Sequence, residues 1–163
     1  MKSWLAFQLL LPAIIAGGCS TTVMTHGVPN LRQVTPMIWR GGQPTAEGWR
    51  YLTNELHVTS DVKLNAGHDG VAIHEVDIPI SFTEQMMGPK SDKMDRIQEA
   101  MAGDWFGITF IHCTHGQDRT GLAVAEYRVH SLNWSRKKAR KEMLLDGFHR
   151  SLIGLDWYWR TNP

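Results

Sequence analysis

A cysteine and an arginine with five residues between them have the types and spacing needed for phosphoryl transfer. Cys113 and Arg119 bracket this segment, and Thr120 and Gly121 follow it. An apolar, β-branched run precedes the segment and a second apolar run follows it, which predicts a buried strand, a loop and a buried helix. A loop of this kind can turn its backbone N–H groups inward at a helix N-terminus and hold an anion there.

The loop positions have separate predicted roles in binding and cleaving a phosphate monoester. Arg119 can clamp two phosphate oxygens. Cys113 is the predicted nucleophile, because the loop amides and the helix dipole favour its thiolate. Gly116 lets the backbone approach the anion closely, and the Thr120 hydroxyl can hydrogen-bond the sulfur. The remaining predicted substrate contacts in the loop are Thr114, His115, Gln117 and Asp118.

The segment 112–121 resembles the His-Cys-x5-Arg-Thr signature of the cysteine-dependent phosphatases. The resemblance to small bacterial dual-specificity-type phosphatases, and to their protein-tyrosine-phosphatase-like inositol phosphatase relatives, extends to residues 40–48, 78–80, 134–135 and 142–143. It implies a single-domain α/β fold, with a mostly parallel sheet of about five strands flanked by helices. It also implies a phosphocysteine intermediate, a supporting structural role for His112, and no cofactor.

The elements that must position the loop alternate along the chain. Strands are predicted near 33–34, 38–40, 57–64, 71–80 and 106–111. Helices are predicted over 46–56, 92–102, 122–129, 135–145 and 155–159. Thr45, Ser91 and Ser135 are the predicted N-caps of the first, second and fourth of these helices. Residues 81–89 are predicted to form an irregular loop. Such alternation predicts a parallel sheet with helices on both faces, and a site beyond the carboxyl ends of its strands.

The general acid that protonates the leaving oxygen is not defined by the motif. The resemblance implies an aspartate on a mobile loop upstream of the cysteine, but Phe82 stands at that place. Asp118, Glu84 and Asp77 are the possible replacements, and water or the substrate is a further source of the proton. Asp118 within the loop resembles the arrangement in myotubularin and Sac-type phosphoinositide phosphatases. Alternatively, Asp118 only orients Arg119 or caps the loop.

Several other polar residues have open interpretations. Arg40, Gln43, Lys63 and His68 lie on predicted turns that could reach the site. The basic run 136–141 is either a solvated helix face or a surface that attracts a polyanionic substrate or an anionic membrane. The eight histidines show no spacing typical of a metal site, so we predict no metal.

The first residues have the pattern of an export signal. Residues 1–18 are a predicted signal peptide, with Lys2 before an apolar stretch over 4–16. Small residues before Cys19 resemble a lipobox, so Cys19 is the predicted lipidation site and 19–28 a tether to a phosphatase domain over 29–163. A plain secretory signal or an uncleaved anchor is the alternative. With Cys19 lipidated, Cys113 is the one remaining thiol, which favours a chemical role.

These features together predict a phosphomonoester hydrolase in the periplasm, attached to the outer membrane by its lipid. The expected substrates are inositol polyphosphates or phosphoinositides, with phosphotyrosine or dual-specificity protein substrates as the alternative. A phosphate-binding module without turnover is a third possibility. A net charge of +1 gives no indication of a nucleic-acid partner, and we expect a monomer.

Overall fold

The computed structural model describes residues 22–103 and 107–162. Its strands are β1 (Met24–Thr25), β2 (Val28–Pro29), β3 (Arg32–Thr35), β4 (Ile38–Gly42), β5 (Val58–Lys63), β6 (His74–Asp77) and β7 (Ile108–Cys113). Its helices are α1 (Ala46–Asn54), α2 (Phe82–Met87), α3 (Ser91–Ala102), α4 (Asp118–His130), α5 (Arg136–Leu145) and α6 (Ile153–Thr161).

A five-stranded sheet in the order β3-β4-β7-β5-β6 places the predicted catalytic strand at its centre. β3 runs antiparallel to β4, and the other four strands are parallel to one another. Cys113 is the last residue of β7 and lies beside Gly42 of β4. The predicted α/β fold with a mostly parallel sheet of five strands is confirmed, and the predicted nucleophile lies at the carboxyl edge where such sheets carry their sites.

The two faces of the sheet are covered unequally. One face packs against α1 through a small cluster that includes Trp49, Leu52 and Phe110. The other face packs against α3, α4, α5 and α6 in a much larger cluster. α4 lies between the sheet and α5, and its residues 120–128 are all buried. Because α4 follows the loop directly, its burial fixes the direction from which the loop leaves the sheet.

Two helix starts follow the predicted capping chemistry. The Thr45 hydroxyl accepts a hydrogen bond from the Gly48 amide at 3.1 Å, and the Ser135 hydroxyl accepts one from the Lys138 amide at 3.3 Å. The prediction for Ser91 was wrong in detail, since Ser91 is the first residue of α3 and Lys90 stands at the cap position without a side-chain bond.

The segment between β6 and α3 differs most from the prediction. Residues 81–87 are not an irregular loop, because Ser81 and Glu84 form a reciprocal capping box that starts α2. β6 is also shorter than the predicted strand over 71–80. Val71 and Ile73 pack against the α1-side cluster instead of continuing the sheet.

Among residues 22–103 and 107–162, no helix is long and apolar enough to cross a membrane. The predicted signal peptide and Cys19 lie outside the described residues, so those expectations remain predictions. The later part of the predicted tether over 19–28 belongs to the fold instead, because β1 pairs with β2 and Val28 is fully buried in the α1-side cluster.

Candidate active site

The loop 113–119 folds back over the sulfur of Cys113. The Gly116 amide donates a hydrogen bond to Cys113 Sγ at 3.3 Å, and Cys113 is only 3% exposed. An amide aimed at the sulfur stabilises negative charge there. The predicted hydrogen bond from Thr120 to the sulfur is not formed: Thr120 Oγ1 is buried and has no hydrogen-bond partner among the described residues. The backbone amide of Gly116 makes that contact instead.

Arg119 is held by the ends of neighbouring segments. Its Nη1 donates to the carbonyl oxygens of Leu64 at 3.1 Å and Ile80 at 3.4 Å. Its Nη2 donates to Thr114 Oγ1 at 3.0 Å, which joins the two ends of the loop. These bonds orient a partly exposed guanidinium at the loop's opening, as a residue that clamps a phosphate requires.

The end of β4 supports the loop from behind through close backbone contact. Gly116 has φ 73°, and a Cβ added there would lie 2.3 Å from the carbonyl carbon of Gly41. A Cβ on Gly42 would lie 2.8 Å from the carbonyl carbon of His115. The Gln43 amide also donates to the Thr114 carbonyl oxygen at 3.1 Å. The glycines of the 40–48 motif therefore let two backbones pack where side chains would collide.

Arg40 ties the loop to the end of α5. Its guanidinium is buried, with Nη2 donating to the Gly116 carbonyl oxygen at 2.8 Å and Nη1 donating to Asp146 Oδ2 at 2.7 Å. Burial lowers the pKa of Arg40, and the charge of Asp146 opposes that change. Arg40 thus positions the loop and is not placed to contact a substrate directly.

A buried polar network lies beneath the loop around His112. The ring Nε2 is 3.2 Å from Asp61 Oδ1 and 3.2 Å from Asp69 Oδ2. Lys63 pairs with Asp69, and burial raises the pKa of Asp61 although the hydrogen bond and charge of His112 oppose the rise. This network agrees with a supporting role for His112. Sequence reasoning missed Asp61 and Asp69, although charged residues within a buried strand are a signal that could have indicated Asp61.

Within residues 22–103 and 107–162, two groups of ligand-type atoms lie close enough to hold a cation. One consists of Asp61, Asp69 and His112, and in it the ammonium of Lys63 already supplies the positive charge beside Asp69. The other, at the exposed end of β6, consists of His68, Glu75 and Asp77. His68 is thus engaged away from the loop, and its pKa is raised by the hydrogen bond to Glu75 and by the charge of Asp77.

The other predicted substrate contacts fall into two groups. Thr114 and His115 are exposed at the loop's outer side, whereas Gln117 is buried, with 5% exposure. The backbone at His115 is also held from outside the motif, because Asn30 Nδ2 donates to its carbonyl oxygen at 2.8 Å. Asn30 was not identified from the sequence.

Asp118 faces a residue that the sequence did not indicate. Its Oδ1 accepts a hydrogen bond from the His149 amide at 2.7 Å, and its two oxygens lie 3.1 Å from His149 Nδ1. The carboxylate is therefore positioned by the turn after α5. It lies on the first turn of α4, next to Arg119 in the chain.

The other two candidate acids are engaged elsewhere. Burial tends to raise the pKa of Glu84, but hydrogen bonds from Lys93 and Ser81 outweigh it and the pKa is lowered, which is unfavourable for a proton donor. Glu84 also pairs with Lys93 at 2.5 Å. Asp77 Oδ2 lies 3.1 Å from His68. Phe82, which replaces the expected aspartate, is 74% exposed on α2.

The fold around this loop is that of the protein-tyrosine-phosphatase-like phosphatases. The crystal structure of P. aeruginosa TpbA superposes with a TM-score of 0.65 at 23% identity, covering 87% of this chain and 89% of that chain. The Siw14 catalytic core gives a TM-score of 0.70 at 18% identity, covering 82% and 85%; SIW14 of S. cerevisiae is described as a PP-IP phosphatase.

In sequence, the chain is homologous to the dual specificity protein phosphatase TpbA of Pseudomonas aeruginosa (strain UCBPP-PA14). The two are 26% identical over 121 residues, which is 73% of this chain and 55% of the relative. The chain thus spans about half the length of the curated relatives it matches. No family model matches it. The predicted resemblance to bacterial cysteine-dependent phosphatases is confirmed.

Proposed function

We propose that this chain is a phosphoric monoester hydrolase that acts through a phosphocysteine intermediate. The observation that carries the proposal is the placement of Cys113 Sγ 3.3 Å from the Gly116 amide, at the floor of a loop spanned by Arg119 and Thr114. This arrangement combines a buried nucleophile, a backbone amide that donates to it and a guanidinium held at the loop's opening, and phosphoryl transfer requires parts of these kinds.

In the first step, Cys113 Sγ attacks phosphorus, the P–S bond forms and the P–O bond to the leaving group breaks. The loop amides and Arg119 stabilise the charge on the equatorial phosphoryl oxygens. An acid protonates the leaving oxygen. In the second step, water attacks phosphorus, the P–S bond breaks, and inorganic phosphate leaves with the thiolate restored.

Asp118 is the proposed general acid, and His149 is its proposed partner. Of the three carboxylates, Asp118 is the one that belongs to the loop itself, and its contact with His149 Nδ1 gives it a group with which to exchange a proton. Glu84 is the weaker candidate because its pKa is lowered and it is paired with Lys93.

The proposed substrates are inositol polyphosphates or phosphoinositides. Two structures with the same fold support this class, since SIW14 is described as a PP-IP phosphatase and PTPMT1 has been crystallised with PI(5)P. The alternative is phosphotyrosine, supported by the structure of TpbA, as a cysteine-to-serine variant, with pTyr.

Phosphate release from a small panel tests both the chemistry and the substrate class. The panel is p-nitrophenyl phosphate, a phosphotyrosine peptide, inositol hexakisphosphate and a short-chain phosphatidylinositol phosphate, each given to the wild-type and Cys113→Ser proteins. We expect release by the wild type and a loss of about 10³-fold or more in the variant. Activity retained by Cys113→Ser would reject the nucleophile. Binding without release by the wild type would instead establish a phosphate-binding module.

We also propose that the protein is exported and tethered by lipid at Cys19. Labelled palmitate incorporation in the producing bacterium tests this, and the chain offers a matched control. Cys19→Ser should abolish labelling, whereas Cys113→Ser should leave it unchanged. Equal labelling of both variants would show that Cys19 is not the acceptor.

A further inference from the structure

A cavity of about 720 Å³ lies behind the catalytic loop, separate from its opening. It is formed by β3, β4, the turn before α5, and α5 itself. Its lining residues are Arg32, Gln33, Arg40, Trp134, Lys138, Lys141, Glu142, Leu145 and Asp146. Its volume is within the range of sites for small molecules, roughly 300–1,000 Å³.

The charges that line the cavity do not cancel. Both of its carboxylates have cationic partners: Asp146 pairs with Arg40 at 2.7 Å and Arg32 at 3.3 Å, and Glu142 receives Arg128 on both oxygens at 3.0 and 2.9 Å. Lys138 and Lys141 have no carboxylate within salt-bridge distance among the described residues. Two ammonium groups are therefore available at the cavity.

The basic residues of the run 136–141 on α5 do not all have the same surroundings: the two arginines contact α6, whereas Lys138 and Lys141 line the cavity. Arg140 pairs with Asp156 at 2.6 Å, and Arg136 packs over the ring of Trp159 and donates to its carbonyl oxygen. These two arginines hold α6 in place. Lys138 instead lies over the ring of Trp134, with Nζ 3.4 Å from the ring centroid, which keeps its charge at the cavity wall. The run is therefore not a uniform solvated face.

Arg40 places the cavity directly behind the catalytic loop. One end of its guanidinium donates to Asp146 in the cavity wall and the other to the Gly116 carbonyl oxygen. Its buried Nε has no hydrogen-bond partner among the described residues. An anion bound beside Arg32 and Arg40 would compete with Asp146 for the same two guanidinium groups.

We propose that this cavity is a second anion site, which binds a small molecule carrying two or more phosphate groups independently of the catalytic loop. A concave site with two free lysines and two partly neutralised arginines suits a compact polyanion better than it suits one phosphate, because separated cations can be contacted at once. The proposal goes beyond hydrolysis at Cys113 and needs no turnover.

The test uses inorganic tripolyphosphate as the probe, measured by isothermal titration calorimetry on full-length protein whose catalytic loop is disabled. Arg119→Ala provides one such protein, and wild type alkylated at Cys113 with iodoacetamide provides a second that does not depend on the folding of the variant. We expect one equivalent to bind to both. Adding Lys138→Ala with Lys141→Ala should weaken binding by about tenfold or more. These two changes should leave hydrolysis of p-nitrophenyl phosphate by the otherwise wild-type protein unchanged.

Arg50→Ala with Arg96→Ala is the matched control, because it removes the same charge from exposed positions outside the cavity. Equal weakening by both pairs would show general charge attraction and overturn the site. Failure of tripolyphosphate to bind either disabled protein would also overturn it, without bearing on Cys113. Tighter binding to phosphatidylserine vesicles than to tripolyphosphate, lost with the same lysines, would replace the small-molecule site with a membrane surface.

Discussion

The catalytic loop 113–119 and the segment 81–90 lie near each other, but they differ in how they are held. The loop receives hydrogen bonds from Gln43, Asn30 and Arg40, and its backbone packs against Gly41 and Gly42. Just before the segment 81–90, the carbonyl oxygen of Ile80 accepts a long hydrogen bond from Arg119 at 3.4 Å. The segment's own helix is stabilised from within by Ser81 and Glu84.

This difference indicates where the chemistry of the protein resides. The proposed nucleophile Cys113, the Gly116 amide that donates to it and the proposed phosphate clamp Arg119 all come from one continuous stretch that neighbouring segments hold in place. The segment that would carry an aspartate in the implied family has an exposed Phe82, with Glu84 in an ion pair. The following predictions test whether the loop supplies every reacting group and α2 supplies none.

The largest effect is expected from replacing the arginine of the loop. Arg119→Lys keeps the charge but loses the planar fork, so kcat/KM for p-nitrophenyl phosphate should fall by about 10²- to 10³-fold. Arg96→Lys, an exposed position on α3, is the control and should have no effect. A small loss in Arg119→Lys would mean that the guanidinium is not the phosphate clamp.

The next effect concerns the acid. Asp118→Asn should reduce kcat for an alkyl phosphate by about 10²-fold, because a poor leaving group needs the proton. The kcat of the same variant for an aryl phosphate should fall much less, because an aryl leaving group needs little protonation. His149→Gln should show the same preference in weaker form if the pair shares the proton. Equal losses on both substrates would assign Asp118 to positioning the loop.

The close backbone contact between the loop 113–119 and β4 should contribute to the free energy of unfolding. Gly116→Ala combines a positive φ of 73° with a Cβ 2.3 Å from Gly41, so urea unfolding should show a loss of about 2–4 kcal/mol. Gly70→Ala has a positive φ of 65° and no atom within 4 Å of the added Cβ, so it reports the backbone cost alone. Similar losses in both would contradict the tight contact behind the loop.

The smallest effect is expected at α2. Glu84→Gln should leave hydrolysis unchanged and lower the free energy of unfolding by less than about 1 kcal/mol at pH 7. Since the folded pKa of Glu84 lies below its ordinary value of 4.5, its stabilisation is present above that pH and is lost as the pH falls through the folded pKa. The difference between wild type and variant should therefore vanish in acid. A large loss of alkyl phosphate turnover would make Glu84 the acid.

The sheet, most helices and the loop could be predicted because their signals are local. The apolar runs around Cys113 and the caps at Thr45 and Ser135 lie within a few residues of the elements they define. α2 was missed because its six residues bury no side chain, so it has no apolar period, and its start depends on the pairing of Ser81 with Glu84.

The partners of the site residues could not be predicted, because they come from distant parts of the chain. His149 meets Asp118 across 31 residues, Arg40 meets Asp146 across 106, and Asn30 meets His115 across 85. Such contacts depend on the packing of α4 and α5 against the sheet, which spacing alone does not define. Thr120 shows the reverse case, since its predicted local bond to the sulfur was replaced by a backbone amide.

The contact between Asn30 and the carbonyl oxygen of His115 also shows where the N-terminal part of the chain lies relative to the loop 113–119. Asn30 bonds in turn to Val23, close to the point where residues 1–21 join the described fold. The chain therefore enters the domain beside the rim of the reactive loop and not on its far side. With the proposed lipid attached at Cys19, this rim would lie near the membrane surface, and the proposed phosphatase would act on substrates at or near that surface.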